Sequence, residues 1–352
     1  MKTSNLKSEI FNLKSQILSA LLSIFIAGSA HADPIKVCTT TTDLGSLVRE
    51  VGGEDVEVVT FAKGAEDAHF VEARPSFIKE LSRCDLFIQN GLELELGWVP
   101  PLLRNCRNAE VQVGGPGYLD ASTAITPRDV PVGGVDRSMG DVHSRGNPHF
   151  LLDPINGLKV ARLIRDKLSD LRPERAGVFH QRYELFQARL SAALVGDELA
   201  RRYDVEKLMT LDEAGGLDGF LADQNPAQIL GGWLGTLRPY RGTPIVGDHP
   251  LWGYFANRFG MEVVGHMEPK PGITPTTRHL KLLVETMKQR EARLVVTSVY
   301  FDPRYTTFLV EDAGARPVVL AHQVGATPDA AGYIEMIGSN VDRLAVALKA
   351  GE

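Results

Sequence analysis

Residues 35–61 read IKVCTTTTDLGSLVREVGGEDVEVVTF. Ile35–Thr40 is an apolar, β-rich run. Leu44–Val51 places Leu44, Leu47, Val48 and Val51 on one helical face, and Val56–Phe61 is a second β-rich run. Strand, helix and strand in so short a span describe a β-α-β unit, with parallel strands and a right-handed crossover. The pattern continues with a helix opened by Pro75 and carrying Phe77, Ile78 and Leu81, then a strand over Asp85–Gln89. A helix over Leu94–Arg104 and a fourth strand over Val111–Val113 follow.

Gly114–Arg145 is rich in Gly and Pro and reads as loop. Two helices are expected next, Ile155–Leu171 and Pro173–Leu194, the second roughly 30 Å long at 1.5 Å per residue. Arg201–Arg241 has no pattern that fixes its elements. Alternation resumes with strands at Pro244–Gly247, Glu262–Gly265, Arg293–Thr297 and Pro317–Leu320, separated by helices, and a last helix from Ala330. The expected fold is α/β: two lobes of parallel sheet flanked by helices and joined by a long rigid helix. The expected boundaries are 33–153 for the first lobe, 154–200 for the connecting helices and 201–352 for the second.

The 352 residues are 43% hydrophobic and 23% charged, an ordinary globular composition. Net charge −6 argues against a general nucleic-acid binder, which must neutralise phosphates. Lys2, Lys7 and Lys14 precede the apolar run Ile17–Gly28, and Ala30-His31-Ala32 is an A-x-A cleavage site. Residues 1–32 therefore read as a signal peptide, and the mature protein is expected in a periplasm. An oxidising compartment permits disulfides, and Cys38, Cys84 and Cys106 remain after cleavage. Cys38 falls inside a strand and reads as a buried free thiol. Cys84 precedes a strand and Cys106 ends the helix that returns over it, so Cys84–Cys106 is the expected pair, with free thiols the alternative.

Four histidines follow β-rich runs or turns: His69 in EDAHF, His149 in GNPHF, His249 just after Pro244–Gly247, and His322 just after Pro317–Leu320. In open parallel sheets, ligands bind outside the carboxyl ends of the strands, where His69, His249 and His322 would lie. Neutral imidazole suits a borderline ion such as Zn²⁺, which takes about four N, O or S donors. No two of these histidines share a short metal-type spacing, so capping or surface roles are the competing reading. His143 is a weaker candidate, an accessory ligand. His180 and His279 read as surface residues, and His266 as a strand-end residue without a role.

The words around these histidines resemble a known family. EDAHFVEARPS (66–76) is similar to the D-P-H-x-(F/Y)-E-x-x-P-S signature of the zinc- and manganese-type (cluster A-I) solute-binding receptors of ABC importers. NPHFLLDP (147–154) resembles that family's (D/N)-P-H-x-W-L-D-P, and DHPLWGYF (248–255) its H-x-A-(F/W)-x-Y-F. The likeness runs in order through the mature chain. It implies a two-lobed receptor that holds a metal ion between its lobes, with no catalysis. Carried over by position, His69, His149 and His249 match three nitrogen ligands. His322 stands where the family usually has an Asp as fourth ligand. Ser298 occupies a second position that is acidic in some relatives. The family's long His/Asp/Glu-rich loop is missing, leaving Asp136, Asp141 and His143 in that region.

The expected cargo is Zn²⁺, with Mn²⁺ less favoured by a set of four imidazoles. Glu66, Asp67 or Asp248 are the candidates for compensating its charge from behind the ligands. The implied partners are an inner-membrane permease and its ATPase, with the receptor a monomer. A secreted zinc hydrolase with a three-His site and a periplasmic metal chaperone are the alternatives. No H-E-x-x-H pair supports the hydrolase.

Overall fold

The computed structural model describes residues 33–133, 142–224 and 230–351. The signal peptide, and Asp136 and Asp141, lie outside these residues. Two four-stranded sheets form the frame, each entirely parallel and each built in the same order. The first comprises β1 (Ile35–Thr39), β2 (Val56–Thr60), β3 (Leu86–Gln89) and β4 (Tyr118–Asp120), in the order β2-β1-β3-β4. The second comprises β5 (Pro244–Gly247), β6 (Glu262–His266), β7 (Leu294–Thr297) and β8 (Arg316–Val319), in the order β6-β5-β7-β8.

Apart from the exposed Lys36 in β1, the central strands are largely apolar because both of their faces are buried. Ile35 and Val37 of β1, Leu86 and Ile88 of β3, Ile245 of β5 and Leu294 and Val296 of β7 all enter one core shared by the two sheets. Their alternates point the other way. Cys38 and Phe87 pack in a separate cluster outside the first sheet, and Val246 and Val295 in another outside the second.

Helices close the shared core. In α1 (Thr42–Gly52) Leu44, Leu47, Val48 and Val51 are buried, as the spacing requires, and Thr41 caps the N-terminus by accepting from the Leu44 amide. After α2 (Pro75–Leu81) and α3 (Val99–Asn105), the connector is α4 (Pro154–Leu171), capped by Asp153, followed by α5 (Ala176–Val195). Its 20 residues span about 30 Å. Phe179, Phe186, Leu190 and Leu194 of α5 are buried, and α5 packs against both α1 and the last helix, Tyr333–Lys349. The Tyr333 hydroxyl donates to the Leu151 carbonyl at 2.6 Å, joining the chain's end to the turn that follows His149.

Two expectations are corrected. Val111–Val113 is not a strand: Val111 enters the cluster outside the first sheet, while Val113 is 75% exposed. The strand lies seven residues on, where Tyr118–Asp120 pairs with Phe87–Gln89 inside the stretch read as loop. Second, Cys84 and Cys106 are not joined. All three cysteines are free and buried; Cys84 Sγ donates to Leu81 O and Cys106 Sγ to Leu103 O, each three residues back. The thiol next to Cys84 is that of Cys38, whose pKa is raised first by that contact and then by burial. The stretch 201–241, which had no sequence reading, holds the end of the short helix Asp197–Arg202 and the short helices Val205–Glu213, Leu217–Gln224 and Gly232–Leu237.

Candidate metal centre

His69, His149 and His249 converge. Their ring centroids are 5.1, 5.4 and 5.3 Å apart in pairs, a nearly equilateral triangle. One ring nitrogen from each lies within 4.8 Å of the other two. No two of them share an element, so only folding assembles the group.

Each arrives on a turn fixed by its own sequence. Asp67 caps the short 3-10 turn Ala68–Phe70 through the His69 amide, and its Oδ1 also accepts from His69 Nδ1 at 2.7 Å. Asn147 Oδ1 accepts from the His149 amide, while Asn90 Nδ2 donates to Pro148 O, so the N-P-H turn is held from both sides. Asp248 is fully buried. Its Oδ1 accepts from the His249 amide and Trp252 Nε1, and its Oδ2 from the amide and hydroxyl of Ser298. Asp248 is thus consumed in shaping the loop. Ser298, at the position that is acidic in some relatives, is a donor to it.

His249 Nδ1 lies 2.7 Å from Glu268 Oε2. In His69 and His249 alike, a carboxylate accepting at Nδ1 fixes the proton there and puts the lone pair on Nε2. Burial, the largest single effect, would raise the Asp67 carboxyl, but the hydrogen bonds from the His69 ring and amide and the attraction of His69 and His249 together outweigh it and hold the pKa below the usual range. Asp67 therefore remains an anion. Of the three acids singled out in the sequence, only Asp67 stands behind a histidine; Glu66 is turned to Lys63. Glu268 was missed, since a lone Glu after a strand gives no signal in sequence.

His149 Nε2 and His322 Nδ1 are buried and have no hydrogen-bond partner among the described residues. Both residues line one small cavity of about 30 Å³, with Asp67 and Tyr300. Burial drives the His149 pKa far down and lowers that of His322, which keeps both imidazoles neutral, the form that ligates. His322 stands apart from the triangle, with its Nε2 3.0 Å from the Glu66 carbonyl oxygen. His143 Nε2 is 3.1 Å from His69 Nε2. His279, expected at the surface, donates from Nε2 to the His266 carbonyl, and His180 is exposed on α5.

Residues 37–196 and 235–347 match the family described as zinc-uptake complex component A, periplasmic (ZnuA). Over an alignment of 317 residues the chain is 25% identical to the manganese-binding lipoprotein MntA of Halalkalibacterium halodurans, covering 89% of this chain and 88% of that one. Over 362 positions it is 24% identical to the high-affinity zinc uptake system protein ZnuA of Paracoccus denitrificans, covering 96% and 98%. A crystal structure of a zinc-bound ZnuA deletion mutant shares the fold, with TM-score 0.65 at 19% identity over 90% of this chain and 98% of that one. The chain belongs to the ZnuA family, the periplasmic metal-binding receptors of ABC transporters, which are transport proteins and not enzymes.

Proposed function

We propose that the chain captures Zn²⁺ between its lobes, 33–153 and 201–352, and delivers it to the permease and ATPase of its importer. The observation that carries this reading is the triangle of imidazoles. Tetrahedral Zn–N bonds of 2.0–2.1 Å require N···N separations of about 3.4 Å, so three ring nitrogens already within 4.8 Å need only a small inward movement. The set offers nitrogen alone, which favours a borderline ion over Mn²⁺. In this reading His69, His149 and His249 are ligands and His322 completes the shell. The Nδ1 of His322, without a partner among the described residues, and the shared cavity that His322 lines with His149 support that assignment.

Asp67 and Glu268, one behind each of two ligands, would together balance a divalent charge. The manganese-binding relative supplies the second reading, Mn²⁺ as cargo. Competition of Zn²⁺ and Mn²⁺ for dialysed protein against a chelator dye decides between them. One Zn²⁺ per chain with Mn²⁺ displaced is the expected result. His69→Ala, His149→Ala and His249→Ala should each lose binding, His322→Ala should weaken it by about tenfold, and His322→Asp should raise relative Mn²⁺ affinity. Preference of the parent protein for Mn²⁺ would overturn the zinc assignment.

A further inference from the structure

One carboxylate oxygen joins the candidate centre to the surface of the second lobe. Glu268 follows β6, and its amide donates to the Asp248 carbonyl, beside the loop that carries His249. Its Oε2 accepts from His249 Nδ1 at 2.7 Å and from the Gly272 amide at 2.9 Å. The Glu268 side chain is 14% exposed, so water competes little for either bond. Gly272 lies in the turn Pro269-Lys270-Pro271-Gly272-Ile273, closed by a bond from the Ile273 amide to Lys270 O. Two prolines and a positive φ at Gly272 (+72°) make that turn stiff. Ile273 is 43% exposed, and Pro271 lines a cavity of about 190 Å³ together with His143, His149 and His249.

The geometry points to Glu268 as a positioning residue that aims His249 at the ion and, through the same oxygen, holds the turn 269–273, so that capture of the ion is registered at the protein surface. This rests on the reading of His249 as a ligand. When a metal draws on the Nε2 lone pair, the Nδ1–H becomes a stronger donor and the bond to Oε2 tightens. A carboxylate pinned on one side orders what it holds on the other, here the Gly272 amide. The turn carries an exposed apolar side chain on a stiff support, and its order would then report whether the site is filled.

Hydrogen–deuterium exchange over residues 269–274, with and without saturating Zn²⁺, tests the link alongside chelator-competition affinities. In the parent protein Zn²⁺ should slow exchange in this segment. Glu268→Ala should bind Zn²⁺ roughly 10- to 100-fold more weakly and lose the zinc-dependent protection even at saturation. Unchanged exchange in β5 and β7 would show that the variant is folded. Glu268→Gln keeps an oxygen acceptor without the charge, so it should retain the protection with a smaller loss of affinity. Parental affinity in Glu268→Ala, or protection that survives in it at saturation, would overturn the proposal while leaving the ligand set standing. Parental affinity in His249→Ala would overturn the ligand reading itself, and the proposal with it.

Discussion

The Nε2 atoms of His69 and His143 lie 3.1 Å apart, with the two rings stacked at 25°. Asp67 accepts at His69 Nδ1, so His143 is the donor and His69 Nε2 the acceptor. His143 thus meets the nitrogen that His69 offers in the proposed site. Its pKa is pushed down to about 3, by burial first and then by His69 and His249, so it donates as a neutral imidazole. His143→Ala should leave Zn²⁺ affinity within about threefold of the parent, because His143 stands outside the group of three converging nitrogens. A loss beyond about tenfold in competition titration would make His143 the fourth ligand in place of His322.

Gly64 and Gly325 meet backbone to backbone. A Cβ on Gly64 would fall 2.3 Å from the Gly325 carbonyl carbon and 2.6 Å from the Val324 carbonyl oxygen. The neighbouring Gln323 amide donates to Lys63 O and Glu66 O, so this contact seats the His322 loop against the His69 loop. Gly64→Ala should destabilise by about 1–3 kcal/mol in urea unfolding and weaken Zn²⁺ binding. Gly177→Ala, where a Cβ meets nothing within 4 Å near the start of α5, should be neutral or stabilising by up to about 1 kcal/mol.

Glu95 is 3% exposed and accepts from Thr40 Oγ1, the Asn90 amide and the Gly91 amide. Burial pushes its carboxyl up to about 7, only partly offset by those donors. The folded protein then keeps a proton that the unfolded chain has released, so stability falls as pH rises from about 4.5 to about 7. Glu95→Gln cannot ionise. Its cost relative to the parent should be smaller at about pH 8 than at about pH 5, by on the order of 3 kcal/mol at about 1.4 kcal/mol per pH unit. Equal costs in urea at both pH values would contradict a raised pKa.

Three alkyl groups per chain should be taken up by protein unfolded without reductant, one for each free thiol. Mass spectrometry of the labelled chain reads the number directly. Uptake of one would instead restore the disulfide expected from sequence.

The α/β class, the parallel strands and the long connector were all legible in sequence. Period-2 and period-3.6 patterns are local, and strands buried on both faces cannot avoid being apolar throughout. The three converging histidines were legible too, because each stands on a turn written into its neighbours: Asp67 before His69, Asn147 before His149, Asp248 before His249. Glu268 was not, since its role exists only where the loop after β6 returns beside the loop after β5. The fourth strand was displaced because Val111 and Val113 imitate a strand, while Tyr118–Asp120 is defined by its partner β3. The cysteine pair failed for a related reason: spacing can bring two thiols to one end of a sheet, but their direction depends on the turns that carry them. Sequence determined which side chains could ligate and which turns present them. Tertiary structure alone decided which of them meet, because distances between loops on different strands are set by the packing of both sheets on one shared core.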